Sequence, residues 1–414
     1  MRLKTLLYFA LLWTISAQAQ KFDDLLIKGK SEFKNGQFAE AAQTLKKAIA
    51  MNPNNPEAHY FLGYCYSRLN AADANYIPNT SLELTLLSSK EFETVNQLVP
   101  NYSGEFVVLD PYSKITAEWG SAAFKYLHHH KKDSAIWALK QGKARGGFGD
   151  FFMNYNRLNM QFCRKNAFLF LSGDNYTFYC LYLQLVEQFR TDVKAIDVTM
   201  LGTIWYTQLM RESFNIEFDM SNAELDSCQY QEWQDSVVNI NYLTWTIKPS
   251  YEESYLLRSD LLLLSLIQKN QLRDDINFIA GFPEQDKINL QTVSQQFFCF
   301  DYIMGYTPRP DKERESELIL PLNIELDSLM NGYSKYLYLS NHINPNSKME
   351  VMNFESIQIE MLLFIHKTYS QGEEEKARKL MSMFNKHRKH YGQTFSNEEV
   401  ENYYRQINEL FVKR

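Results

Sequence analysis

Ser172-Gly173-Asp174-Asn175 offers more chemistry than any other stretch of this sequence. The apolar run 167–171 ends there as a buried strand. Beyond it Phe178, Leu181, Tyr182, Leu185 and Phe189 recur at the spacing of one helix face. Where a strand's carboxyl end meets a helix N-terminus, free backbone N–H groups and the positive end of the helix dipole face outward, a seat for an anion or a sugar phosphate. Gly173, Asp174, Asn175 and Thr177 are therefore the candidate ligand residues, and Asp174 or Asn175 could hold a sugar hydroxyl or a cation. The same residues also read as a helix cap, with Asp and Asn satisfying the orphan N–H groups and Gly173 permitting the turn. The second reading is favoured, because a carboxylate at that spot competes with any bound anion.

Other reactive residue types form no constellation. Three consecutive histidines, His128 to His130, cannot all face one ion from a regular element, so a solvated turn between helices is expected. His387 and His390 stand beside Arg388 and Lys389 and read as a basic, solvated face. GxSxG, HExxH and P-loop patterns are absent, so no catalytic residue, metal or cofactor is assigned. The five cysteines are scattered without a CxxC pair; one or two bridges could form, but most read as small buried hydrophobes.

The elements around these residues begin with an export signal. Arg2 and Lys4 precede the apolar run 6–15, and Ala17-Gln18-Ala19 supplies the small residues of a cleavage site, so the mature chain is expected to begin at Gln20 in the periplasm or outside the cell. No cysteine near that site is placed to accept a lipid, and no later run approaches the ~18 apolar residues of a membrane span. Without Arg2 and Lys4 the formal net charge moves from −6 to −8. That balance argues against nucleic acid as a general partner, since phosphate binding needs concentrated positive charge.

Residues 22–55 have the length and punctuation of a tetratricopeptide repeat. Gly29 and Ala41 let two helices approach, Gly36 lies in the turn, Leu45 and Ala48 face inward, and Pro53 stops the second helix. A second unit starts at Pro56 with Leu62-Gly63 and Tyr66 in register, its second helix displaced by an insertion at 71–80. A weaker third hairpin spans 115–143 around Trp119-Gly120. Helix A positions that line the groove of such repeats fall on Leu26, Lys30, Tyr60 and Tyr64. Tyrosines there give large contact surfaces of low entropy cost for an extended peptide. The groove is equally suited to packing on the neighbouring domain of the same chain.

The rest reads as α/β followed by helices. Strand and helix alternate over 167–211, a third apolar strand is expected at 276–280 after a helix capped by Ser259 or Asp260, and 237–245 reads as one extended segment. Helical patterns return at 295–304 and 357–391, where Tyr369-x-x-Gly372 and Ala377 repeat the layout of Phe33-x-x-Gly36 and Ala41; a terminal helix follows at 397–412. The fold class expected is α-rich and α/β: tetratricopeptide-like helical repeats over 20–147, a small three-layer α/β domain over 148–285, and a C-terminal helical region with a repeat-like hairpin over 286–414.

Gly173-Asp174-Asn175-Tyr176-Thr177-Phe178, Tyr182-Leu183-Gln184, Arg190-Thr191-Asp192-Val193, residues 201–206, and Ser259-Asp260 before Ile276-Asn277-Phe278 together resemble the soluble C-terminal region of a bacterial membrane-protein family. That family is related to eukaryotic multi-spanning protein O-mannosyltransferases, and the resemblance runs from about Asp150 to the C-terminus. The family's catalytic carboxylates lie between membrane spans that have no counterpart here, so no position inherits them. The resemblance implies an accessory or recognition module serving envelope glycosylation or assembly. The Ala-Gln-Ala-Gln signal end and the aromatic content resemble exported proteins of the Bacteroidetes group, whose short O-glycosylation acceptor motif is similar to Asp133-Ser134-Ala135, Asp235-Ser236-Val237 and Asp327-Ser328-Leu329. These readings point to an exported, non-enzymatic interaction or scaffold protein with a protein or peptide partner; the alternative is carbohydrate or sugar-phosphate binding or processing at the Asp174 turn.

Overall fold

The computed structural model describes residues 19–240, 243–271, 273–279, 298–299, 305–308, 326–391 and 397–412. The export segment and residues 309–325 lie outside them. The chain divides into two compact units, Met1–Gly147 and Phe148–Arg414.

The first unit is built of antiparallel helices: α1 (19–34), α2 (Phe38–Met51), α3 (Pro56–Asn70), α4 (Leu82–Leu98), α5 (Pro111–His128) and α6 (Lys132–Ala144). Local chemistry sets their ends. Asn55 accepts from the Ala58 N–H ahead of Pro56, and Asp110 accepts from the Ser113 N–H ahead of Pro111; each is a side-chain cap before a proline whose missing donor costs nothing in the first turn. The packing is close enough to need glycine. A Cβ on Gly29 would lie 2.7 Å from Leu45, and one on Gly63 would lie 2.9 Å from the Phe92 ring, so α1 meets α2 and α3 meets α4 at the same repeat position. The insertion holds a 3-10 turn, Ala74–Asn79. Asn70 bridges it, accepting from the Ser81 N–H and donating to Thr85, so α3 and α4 still pair across ten extra residues.

The second unit opens with α7 (Asp150–Phe162), β1 (Phe168–Leu171), α8 (Asp174–Leu185), β2 (Lys194–Asp197) and α9 (Ile204–Phe214). A short α10 (Asn222–Ser227) leads to β3 (Tyr230–Glu232), β4 (Ser236–Ile240), β5 (Leu243–Ile247) and β6 (Tyr255–Leu257), then α11 (Arg258–Asn270), β7 (Ile276–Ile279), β8 (Phe298–Cys299) and β9 (Gly305–Pro308). The main sheet has the order β2-β1-β7-β9-β8. β1 is its parallel centre, Phe168 standing opposite both Lys194 and Ile276. All four residues of β1 and of β7 are buried, which accounts for the apolar sequence of β1; in β7 the buried Asn277 amide donates to the Phe168 carbonyl of β1. The fold is thus α-rich with an α/β part, as the alternation implied.

Two readings need correction. Residues 237–245 are not one extended segment: β4 and β5 form an antiparallel hairpin with Ser236 opposite Ile247. Within 295–304, expected helical, the described residues 298 and 299 are strand β8, paired with β9. The chain closes with α12 (Leu326–Leu337), α13 (Lys348–Ser370), α14 (Glu374–Tyr391) and α15 (Glu398–Val412). The α13–α14 turn reproduces the α1–α2 turn bond for bond. Gly36 and Gly372 have φ of 76° and 85°, their N–H groups donate to Phe33 and Tyr369 carbonyls at 3.0 Å, and Ala41 and Ala377 are fully buried.

Candidate functional site

At the 172–175 turn the seat for an anion is already taken by the protein. Asp197, the last residue of β2, is buried with both carboxylate oxygens engaged. Oδ2 accepts from Thr177 Oγ1 at 2.6 Å and from the Gly173 N–H at 3.3 Å; Oδ1 accepts from Thr199 Oγ1 at 2.6 Å and from the Met200 N–H at 3.1 Å. Its own N–H donates to the Tyr206 hydroxyl. A carboxylate from the neighbouring strand therefore lies beside the N-terminus of α8, holding the Gly173 N–H and the Thr177 hydroxyl.

Of the four residues expected at this turn, Gly173 and Thr177 converge on Asp197. Asn175 is buried, and its carbonyl accepts from Asn156. Asp174 stands half-buried in the first turn of α8, and Gly173 is exposed with φ of 101° and nothing within 4 Å of where a Cβ would be. Asp197 thus holds the Gly173 N–H and the Thr177 hydroxyl, and α8 has no side-chain cap bond from its N-cap residue, Gly173. In this sheet order the chain leaves β1 toward β2 and returns on its other side as β7, so a ligand crevice would open at the carboxyl ends of β1 and β7. The residues that follow β7, 280–297, lie outside the described ones. A cleft of about 350 Å³ opens elsewhere in this unit, lined by Arg211, Glu217, Asn222 and Lys269 among others.

Further residues that carry the family resemblance hold backbone together. Arg190 donates to the carbonyls of Met160, Cys163 and Arg164 at the end of α7 while pairing with Asp192 at 2.8 Å, and that pairing lowers the Asp192 carboxyl to about 2. Asp260 accepts the Leu257 N–H and so closes the start of α11. Next to it, Arg258 is buried and donates to the Leu201 and Leu225 carbonyls and to Thr207.

The groove residues of the first unit meet a different occupant from either one expected. Residues 99–109, between α4 and α5, carry no helix or strand and lie across α1 and α3. Tyr102 stacks on Tyr60 with ring centroids 4.6 Å apart, and Phe106 leans on both rings. Glu105 reaches Lys30 at 2.7 Å and Lys34 at 2.8 Å. The Tyr60 hydroxyl accepts from the Val107 N–H and donates to the Leu109 carbonyl; the Tyr64 hydroxyl accepts from the Leu109 N–H and donates to the same carbonyl.

Tyr60 and Tyr64 are consequently 0% and 3% exposed, and neither presents the free contact face expected of it. Leu26 is half-buried on α1. Burial pushes the Tyr64 phenol up to about 12 and Tyr60 higher still. Burial works against the Lys30 ammonium, but Glu105 and Glu57 outweigh it and raise its pKa, while Lys30 and Lys34 hold the Glu105 carboxyl below the usual range. Sequence reading missed Asp197, Tyr102, Glu105 and Phe106. The first is a lone acid closing an apolar run, and the others sit between helices where no periodicity marks them.

Elsewhere, His128 ends α5, His129 Nε2 lies 3.0 Å from the Pro78 carbonyl oxygen, and His130 takes φ of 57° in the turn. His387 is not on a solvated face. It follows Leu380 and Phe384 on the buried side of α14, edge-on to Tyr338 at 4.4 Å, and burial lowers its pKa. Cys65, Cys163, Cys180 and Cys228 are free thiols. Among the described residues no group of three or more His, Cys, Asp or Glu is placed to hold a metal. No described helix is long and apolar enough to cross a membrane. Asp133-Ser134 lies in the first turn of α6, and Ser236 opens β4 beside the exposed Val237.

Comparison with known proteins gives two family matches. A comparison with curated proteins gives no match. Residues 153–248 match TMEM260-associated domain 2, a narrower stretch than the resemblance from Asp150 to the C-terminus, ending just after β5 and before β7 completes the parallel sheet. Residues 29–70 match a TPR repeat, from the middle of α1 to the end of α3. The chain thus joins a TPR repeat to a TMEM260-associated domain 2.

Proposed function

We propose that this chain is an exported, non-enzymatic interaction or scaffold protein of the cell envelope, accessory to envelope glycosylation or assembly, with the repeats over 20–147 as its binding module. The observation that carries this reading is the inner face of α1 and α3. It holds an irregular segment, bent at 101, 104 and 107–109, by ring stacking, paired charges and main-chain hydrogen bonds, the means by which a helical repeat holds a peptide. The TPR match supports a protein partner. Export rests on Arg2, Lys4 and the Ala17-Gln18-Ala19 site, and the link to glycosylation rests on the sequence resemblance that begins at about Asp150.

Cross-linking of the tagged full-length chain in the native envelope, read by mass spectrometry, tests the assignment. A specific partner with cross-links on residues 20–147 is expected. Cross-links confined to 148–414, or the absence of any specific partner, would sink the reading. The second reading, sugar or sugar-phosphate binding at the Asp174 turn, draws on the exposed Gly173 at the end of the central strand. Asp197 weighs against its anionic form, because a phosphate there would face a buried carboxylate.

A further inference from the structure

We propose that residues 101–109 are an intramolecular strap that competes with the partner for the inner face of the repeats, and that the partner presents an irregular segment with an acidic residue flanked by aromatic ones. This rests on the reading of the repeats as a protein-binding module and names the chemistry that module selects. The strap itself is the template. Its Tyr102 fills the face of Tyr60, its Glu105 sits between Lys30 and Lys34, and Phe106 closes over both rings. The two tyrosine hydroxyls read only backbone atoms of Val107 and Leu109, so any chain that follows the same bent path can replace those bonds. Selectivity is left to the acid and the aromatics.

The strap is built to let go locally. It has no ladder or helical hydrogen bonds of its own, and Val108 is 61% exposed. The Lys34 and Glu105 side chains keep 60% and 38% of their exposure, so their ion pair contributes little against solvent. Short irregular segments of this kind open at a fraction of the global free energy. Its ends are fixed where α4 stops and Asp110 caps α5, which gives an effective local concentration on the order of millimolar. A partner in trans must exceed that threshold or offer better contacts. Gly104 is a point of control: a Cβ there would lie 2.4 Å from the Tyr102 hydroxyl and 2.6 Å from its ring, prising Tyr102 away.

The test uses the full-length chain and a fluorescent synthetic peptide of residues 101–109, read by anisotropy. Gly104→Val, and separately the triple change Tyr102→Ala, Glu105→Ala, Phe106→Ala, should bind the peptide at least ~10-fold more tightly than the unaltered chain, by removal of the competing local concentration. Reversing the peptide's glutamate to lysine, or adding Lys30→Glu and Lys34→Glu to the released chain, should abolish that gain. Hydrogen exchange of the unaltered protein covers the case in which the variants fail to fold. The Val107 and Leu109 amides should exchange by local opening, ahead of the amides of α3 and α5. Folded variants that bind no more tightly, or Val107 and Leu109 amides protected as fully as α3, would overturn the strap. Either result beside a partner still cross-linked to 20–147 leaves the scaffold reading standing, whereas loss of all specific partners removes that reading itself.

Discussion

Asp197 draws four donors onto one buried carboxylate, and that arrangement fixes what the 172–175 turn can do. Thr177→Val keeps the shape but removes a charge-assisted bond, costing about 1.5–3 kcal/mol. Asp197→Asn should cost more, because its amide turns donors toward donors. Urea unfolding should show a lower midpoint with an unchanged slope for both, and equal losses for the two would speak against the carboxylate as the organising group. His59 gives a second prediction at this scale. Burial opposes its protonation, but Glu91 at 2.5 Å and the Pro53 carbonyl outweigh it and raise the pKa above its ordinary 6.5. A folded pKa above the unfolded one means stability fully present below about 6.5 and lost as pH rises through the folded value. Denaturant midpoints taken from about pH 6 to about pH 9 should fall, and His59→Gln should flatten the slope. A profile unchanged by that substitution would refute the linkage. Little of this could be read from sequence, since Asp197 reaches Gly173 and Thr177, and Glu91 reaches His59, across 20 or more residues.

Helices were legible because their signals are local. Asn55-Pro56 and Asp110-Pro111 mark two starts, and the shared spacing of Phe33, Gly36 and Ala41 with Tyr369, Gly372 and Ala377 encodes one turn twice. The central strand β1 was legible from its continuous apolar run, and β7 from a run broken only by Asn277. Hairpin β4–β5 was not: between Ile240 and Leu243 stand Asn241 and Tyr242, without the Asn-Gly or other glycine pair that announces a two-residue reversal. Repeat packing is where an element-scale prediction belongs. Gly63→Ala gains about 1 kcal/mol of helix propensity. It also drives a methyl to within 2.9 Å of a fully buried Phe92 ring, an overpacking cost of about 1–3 kcal/mol. The net should be destabilising. Phe92→Leu in the Gly63→Ala background should recover part of the loss by making room, a coupling that a double-mutant cycle measures; strict additivity would mean the ring is not the obstacle.

At the scale of the whole molecule, the address and the groove bear on one another. The repeats were visible in the sequence, but the occupant of their inner face was not, because residues 101–109 follow no period and their partners lie on helices more than 40 residues earlier. The proposed export makes that self-occupancy useful. An aromatic groove lined by lysines would otherwise travel with Tyr60 and Tyr64 open, and exposed apolar patches attract unspecific partners. Covering them with the chain's own aromatic and acidic side chains gives a protein that is inert until it meets a stronger competitor. Export must then hold for the strap to have this meaning. Arg2 and Lys4, the apolar run 6–15 and Ala17-Gln18-Ala19 predict cleavage before Gln20. The chain expressed with its own leader in a native-type host should be recovered from the periplasmic or secreted fraction, with an intact mass and N-terminal sequence beginning at Gln20. Recovery only from the cytoplasm with Met1 retained would remove the envelope from the proposal and leave a strapped repeat protein whose partners must be sought inside the cell.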